Sequence, residues 1–434
     1  MYYYTDSVLM APAVVSIILA IGKVWDAVND TLFGLIVDAV KFKSGHKFLP
    51  WLRLSTILIP LSTIALFCLN AGMSPTIKIV LAVVTYLLWD TCYTLCDAPI
   101  FALPTAMTSS VKERSGFMTV GTVGGSLAAA LATVFLVPYA ENNGYLKAAI
   151  IVAVVSFLAM SLISLFGKER YKVKEEVLEK PASLRDTWEY LIHNKYLLYF
   201  YAYRMISGSI AVSMLIYVAK YCLGDVKYMS MVVAISVIPI CILFLFSGKI
   251  FKRFDKIVVY RFCMIATILM NAITLFVGYQ NRTLAIACLV VIAVLAILPS
   301  ILMGAIPQDC VEYGTYKTET RKEGITFALQ TFANKLTAAV ATIITGGVLT
   351  FVGYDVAAEK AATEAHKVVE IAVSQATVSG MWKASFIVPI IGQLLAIGFL
   401  FAYNLRDKDV QIMSDCNAGK ITKAEAEALL SRKY

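Results

Sequence analysis

Apolar runs of about 20 residues, long enough to cross the ~30 Å hydrocarbon core of a bilayer as helices, recur along nearly the whole of this 434-residue chain. Roughly eleven are legible, over 7–40, 53–72, 77–107, 116–139, 146–167, 196–222, 228–249, 257–279, 283–307, 325–352 and 380–403. Hydrocarbon offers the backbone no water, so such a series predicts an all-α membrane protein and not an open sheet. Composition agrees: 59% of residues are hydrophobic and 15% charged, against ~45–50% and ~25% in soluble domains. That excess cannot be buried in one water-soluble core, because single cores stop growing near ~250–300 residues. Secreted disulfide scaffolds and disordered chains are excluded on the same ground.

Two polar stretches punctuate the series. The first, KERYKVKEEVLEKPASLRDTWEYLIHNK at 168–195, separates the first five spans from the rest, and the second, 354–378, is acidic and alanine-rich. The expected organisation is an N-terminal helix bundle over 1–167, a linker over 168–195, a C-terminal bundle over 196–403 and a tail over 404–434. Basic residues resist translocation. They follow the odd-numbered spans, as at Lys41, Lys43, Lys47 and Arg53, at Lys168, Arg170, Lys172 and Lys174, and at Lys249, Lys252 and Arg253. Odd spans are therefore expected to run outside to inside, in the cell inner (plasma) membrane, with the linker and the C-terminus cytoplasmic. This polarity puts Met1 outside with no preceding signal segment, so one more helix is expected upstream.

The net charge of +9 follows from Lys and Arg held in cytoplasmic loops. No basic run interleaves with aromatics as nucleic-acid grooves require, so no nucleic-acid partner is expected; the expected partners are the bilayer, a small solute and an ion. Cys68, Cys92, Cys96, Cys241, Cys263 and Cys288 lie inside apolar runs and form no CxxC pair, reading as small buried hydrophobes. His46, His193 and His366 fall far apart in polar connections. No resident metal or cofactor is expected.

Charges within the spans are the informative residues, because a carboxylate at the bilayer centre costs ~2.5–3.5 kcal/mol even on the lenient insertion scale. In GKVWDAVNDTLFGLIVDAV, Asp26 and Asp30 lie one helical turn apart, with Asn29 beside them and Lys23 a turn before. Two carboxylates that close cannot both stay ionised without a proton or a cation between them. Carboxylate, amide and hydroxyl oxygens suit a hard cation such as Na⁺. A structural alternative is a Lys23–Asp26 ion pair with Asp30 near a helix end. In YLLWDTCYTLCDAPIFALPTAM, the residues Asp90, Tyr93, Thr94, Asp97 and Phe101 share a helical face. A hydroxyl-rich face with a carboxylate and an aromatic ring can take a sugar. In GITFALQTFANKLTAAVATIITGG, Lys335 lies well inside the span near Gln330, Thr331 and Asn334, a natural counter-ion to the buried carboxylates.

The two halves also echo one another: Gly34-Leu-Ile-Val-Asp38 before Lys41 and Lys43, and Ser247-Gly248-Lys249 before Lys252 and Arg253. Repeated halves with a mid-membrane solute site belong to major-facilitator-type transporters. YYYTD at 2–6, WDAVND at 25–30, YTLCDAPIFALP at 93–104, ER at 113–114, EYGTYKTETRKEG at 312–324 and LQTFANK at 329–335 together resemble the glycoside–pentoside–hexuronide:cation symporters. The resemblance runs in order along nearly the whole chain. It implies a two-bundle fold of about twelve helices, about eleven of them here because most of helix I is absent. It implies alternating access, with cation binding by Asp26, Asn29, Asp30 and Thr94. It also implies substrate binding by Tyr93, Asp97, Phe101, Gln330 and Thr331, with Lys335 coupling the two. Two departures stand out: Thr31 replaces the family's Pro after Asn29-Asp30, and Thr122 stands where the family has a sugar-contacting Arg.

The expected function is secondary active transport, a sugar or glycoside-like solute moving with Na⁺ or H⁺. An alternative is a non-transporting remnant or sensor. Asp26, Asp30 and Asp38 superficially match an intramembrane Mg²⁺-dependent prenyltransferase, but that chemistry needs a second Asp-rich motif, and spans seven to nine hold almost no carboxylate. No enzymatic activity is expected.

Overall fold

A computed structural model of the protein describes residues 1–40, 42, 46–108, 111–169, 192, 194–212, 214–319, 323–354, 373–432 and 434. The side chains of Asp38, Phe101 and Thr122, most of the 168–195 linker and most of 354–378 lie outside the described residues. Every element among the described residues is helical. In chain order these are α1 (Pro12–Ala39), α2 (Leu49–Leu66), α3 (Pro75–Met107), α4 (Val111–Leu131), α5 (Val137–Asn143), α6 (Tyr145–Phe166), α7 (Lys195–Ser209) and α8 (Leu215–Tyr217). They continue with α9 (Lys227–Arg253), α10 (Lys256–Val277), α11 (Arg282–Leu295), α12 (Ile297–Thr318), α13 (Glu323–Phe351), α14 (Gln375–Ala402), α15 (Asp407–Asn417) and α16 (Lys423–Leu429). Proline opens α1, α2, α3 and α5, where its missing N–H would have had no helical partner and its fixed φ suits the first turn.

Among the described residues, ten helical stretches are long and apolar enough to span a bilayer, and the chain is a multi-pass membrane protein. Large apolar side chains on their outer faces, such as Leu245, Phe276 and Phe351, are 78%, 88% and 91% exposed, as lipid-facing residues should be.

Several expected spans are interrupted. The expected span 7–40 is helical only from Pro12: a π-helical turn, Tyr3–Ser7, ends where the span begins, and the chain breaks over residues 8–11 before α1. Ala11 is forced into an extended conformation by Pro12, and the buried Lys78 ammonium donates to the freed Val8 carbonyl at 2.7 Å. The expected span 116–139 contains a π-turn at Ala132–Leu136. The span expected at 196–222 is not one helix: α7 stops at Ser209, α8 begins at Leu215, and a π-turn follows over Val218–Cys222. Ser207, Gly208 and Ser209 are weak helix formers in succession. Cys68 and Cys241 are exposed, unlike the buried Cys92, Cys96, Cys263 and Cys288; hydropathy identifies the run, not the direction a residue faces within it.

The chain divides into two compact units. The first comprises Met1–Val177, Met214–Val233 and Thr345–Met381. In it α2 packs on α3 and α6, and α1 packs on α3. Glu169, just past α6, caps the start of α2 by accepting from the backbone N–H groups of Lys47, Phe48 and Leu49 at 2.7–2.8 Å, since orphan donors there favour an anion. The second unit comprises Leu178–Ser213, Ala234–Ile344 and Trp382–Tyr434. Its core gathers Tyr196, Phe200, Tyr203, Tyr260, Leu302, Tyr313 and Tyr403. Lys256 pairs with Asp309 at 2.6 Å and its backbone N–H caps against Asp407. The tail folds as α15 and α16, held by Asp409, which accepts from Ser431 and Tyr434.

Candidate functional site

The acidic set sits where α1 meets α3 in the first unit. Gly22 permits the contact: a Cβ at that position would lie 1.9 Å from Cε1 of Tyr86, so only glycine lets the ring lie against α1. One to two turns further along, Asn29 Nδ2 donates to Thr94 Oγ1 at 2.9 Å. The Thr94 hydroxyl is within 3.2 Å of both Asp30 Oδ1 and the Asp90 carbonyl as acceptors. Amide, hydroxyl and carboxylate thus form a relay joining the two helices. Asn29 and Thr94 are buried, while Asp26, Asp30 and Asp97 are half-buried. Trp25 anchors the same interface from the side, its indole N–H donating to Thr91 Oγ1 at 3.0 Å.

Tyr93 lies close to both Asp97 and Asp26, and its ring stacks on Trp89 with centroids 5.6 Å apart. At 45% exposure Tyr93 remains accessible, so the face offers an aromatic surface beside a carboxylate. The structure therefore brings Asp26, Asn29, Asp30, Tyr93, Thr94 and Asp97 onto one two-helix surface. Phe101, expected on the same face, has a side chain outside the described residues. Such an oxygen-rich cluster can hold a hard cation or a proton, and the neighbouring face can present hydrogen bonds and a ring to a polyhydroxyl solute.

The second unit holds the other expected residues. On α13, Gln330 donates to the Met303 carbonyl at 3.2 Å, Thr331 is exposed and Lys335 half-buried. Gln330 also lines a recess with Arg204, Tyr201 and Asn334.

Sequence reasoning missed three charged residues. Arg204 is the first base inside the span beginning at 196, a signal as strong as that of Lys335. Asp6 and Lys220 form a pair with Nζ–Oδ1 2.6 Å, both little exposed. The Tyr221 hydroxyl donates to the same Asp6 oxygen at 2.8 Å and lies 3.2 Å from the Tyr354 hydroxyl. Asp6 was legible within YYYTD, but nothing in the sequence names its partner.

Among the described residues no group of three or more His, Cys, Asp or Glu side chains could hold a metal ion. The chain is 27% identical over 363 residues to the uncharacterized symporter YjmB of Bacillus subtilis (strain 168), covering 81% of this chain and 78% of that protein. It is 23% identical to the isoprimeverose transporter of Lactiplantibacillus pentosus, covering 96% and 86%. Among solved structures, a bacterial homolog of the human lysosomal transporter Spinster shares the fold with a TM-score of 0.66 at 13% identity, covering 92% of this chain and 90% of that one. The sequence model of the MFS/sugar transport protein family matches residues 1–407, and the chain belongs to that family.

Proposed function

We propose that this protein is a symporter that moves a sugar or glycoside-like solute across the cell membrane together with Na⁺ or H⁺, with its C-terminus cytoplasmic. The observation that carries the reading is the Asn29–Thr94–Asp30 relay beside Asp26: in lipid such a group of carboxylates calls for a functional role. Cation occupancy among Asp26, Asn29, Asp30 and Thr94 neutralises the α1 carboxylates. It also fixes α1 against α3, which carries Tyr93 and Asp97 on the solute face. In this reading Gln330 and Thr331 on α13 are further substrate-binding residues and Lys335 is the coupling residue. The relatives named as a symporter and as an isoprimeverose transporter support the solute class.

The test is uptake and counterflow of labelled glycosides, pentosides and uronides into proteoliposomes, with and without a sodium gradient. Asp30→Cys is expected to abolish cation-driven accumulation while the protein still inserts and binds detergent normally. Full sodium- or proton-dependent accumulation by that variant overturns the assignment.

A further inference from the structure

Asp6 and Lys220 take no part in the reading above, although they form a buried ion pair in the first unit. By the polarity that the basic residues set, the elements around them end on the outer side. These are the start of α1, the ends of α2 and α5, the starts of α3 and α6, the turn over Val218–Cys222 and the end of α13. The first unit gathers these ends from both halves of the chain, since it includes Met214–Val233 and Thr345–Met381. α13 itself begins in the second unit and finishes in the first.

The segment 2–8 meets these ends with two unlike faces. On one, Tyr3, Tyr4 and Val8 pack with Leu66, Leu69 and Ala82 of the first half. The Tyr3 hydroxyl donates to the Leu69 carbonyl at 2.7 Å, and Lys78 donates to the Val8 carbonyl. Toward 217–221 the contacts are polar. Asp6 pairs with Lys220 at 2.6 Å and accepts from Tyr221, and the hydroxyls of Thr5 and Tyr217 lie 2.7 Å apart. Glu141, which accepts from Tyr145 at 2.7 Å, is within electrostatic reach of both Asp6 and Lys220. The difference decides which face can open. Parting apolar surfaces exposes them to water, whereas an ammonium and a carboxylate recover hydration when they separate, and a buried ion pair gains little over an apolar one.

The backbone singles out the same place. Asp6 and Lys220 each sit on a π-turn, and a third π-turn, Ala132–Leu136, precedes α5 and is tied to α9 where Ser230 donates to the Thr133 carbonyl at 2.9 Å. Such turns concentrate at functional sites. Leu9, just past Asp6, has a φ of 59°, a left-handed conformation that residues other than glycine rarely hold and that clusters in switch regions.

We propose that Asp6 and Lys220, with Thr5 and Tyr217, form the outer gate of the transport cycle. The gate is closed in this structure. It parts when the outer side opens, the segment 2–8 staying on the first-half helices through its apolar face while 214–222 moves away. The proposal rests on the symport reading and adds to it the contact that breaks and re-forms in each turnover.

Accessibility tests the gate without transport. In right-side-out vesicles, Thr5→Cys is treated with a membrane-impermeant maleimide and labelling is read by mass spectrometry. Native Cys263, in the core of the second unit, is the internal reference. Adding Asp6→Asn, which removes the charge opposite Lys220, is expected to raise the labelling rate at position 5 at least tenfold and to leave Cys263 unlabelled. An unchanged rate overturns the proposal. So does parallel labelling of Cys263, the mark of a purely structural pair, and so does a rise seen only in inverted vesicles, which puts the contact on the inner side. Tethering tests the cycle: the double variant Asp6→Cys and Lys220→Cys, bridged by a short reducible bis-methanethiosulfonate, is expected to lose counterflow of labelled glycosides at least tenfold and to regain it on reduction. Undiminished counterflow by the bridged protein overturns the gate. A wild type that moves none of the labelled glycosides, pentosides or uronides sinks the symport reading instead, and the labelling rates then decide the gate.

Discussion

Lys220 and Asp6, 214 positions apart in the chain, meet at 2.6 Å with side chains only 12% and 8% exposed. The pair is fully dressed: Tyr221 donates to the same carboxylate oxygen, and the ammonium lies over the rings of Tyr2 and Tyr221 at 5.5 and 5.4 Å. Removing one member strands a buried charge, which costs ~3–5 kcal/mol, whereas replacing both with apolar groups is often close to neutral. Asp6→Ala and Lys220→Met should each lower the unfolding midpoint strongly, and the double variant should recover most of the loss. Denaturant unfolding in detergent measures the coupling; losses that simply add would show that the two charges act independently.

Thr94 is both acceptor for Asn29 and donor to Asp30, a role no apolar isostere can fill. Thr94→Val should weaken cation-dependent uptake at least tenfold, with Thr94→Ser retaining most of it because the hydroxyl is kept. The readout is the sodium or proton concentration giving half-maximal uptake in proteoliposomes. Equal loss in Thr94→Ser would shift the explanation from the hydroxyl to packing.

Gly22 supplies an internal check on the α1–α3 contact. A helical Gly→Ala change normally stabilises by ~1 kcal/mol, but here the new methyl collides with the Tyr86 ring, and overpacking costs ~1–3 kcal/mol. Gly22→Ala is therefore expected to destabilise, and the added change Tyr86→Ala to relieve the clash. A Tm that rises in Gly22→Ala alone contradicts the close approach.

The tail has a defined pH response. Burial pushes the Asp409 carboxyl up, but hydrogen bonds from Ser431 and Tyr434 and the charge of Arg406 outweigh it and hold the group below the usual carboxylate value. A depressed carboxylate contributes stability that is present above its unfolded value, ~3.9, and is lost as pH falls through the lower folded value. Asp407 works in the opposite sense: burial raises it despite the Lys256 contacts, so its contribution is present below the unfolded value and lost as pH rises through the folded one. Hydrogen exchange over 418–432, corrected for intrinsic pH dependence, should stay slow at neutral pH and quicken in strong acid. Asp409→Asn should show the fast exchange already at pH 7.

Much of the fold is readable from single residues and their spacing. The length of each apolar run sets a bilayer-crossing helix, and the helical period alone aligns Asp26 with Asp30 and Tyr93 with Asp97. Local chemistry also marks the prolines at helix starts. The breaks at Ser209 and at Val8–Ala11 were not legible, because hydropathy is the same for a continuous helix and for two halves joined by irregular backbone. Arg204 was visible but unassigned, because a lone base in a span says nothing about its neighbours.

The sequence by itself determined the helical type of the elements, the class of solvent they face, and which apolar runs carry charge, since these depend on composition over a few turns. Only the tertiary structure decided which charges meet. The Asn29–Thr94 bond, the Asp6–Lys220 pair and the Arg204 recess join residues distant along the chain. Those partners are chosen by helix packing, down to the absence of a single Cβ at Gly22 or Gly208, and close packing of that kind leaves no periodic trace in the sequence.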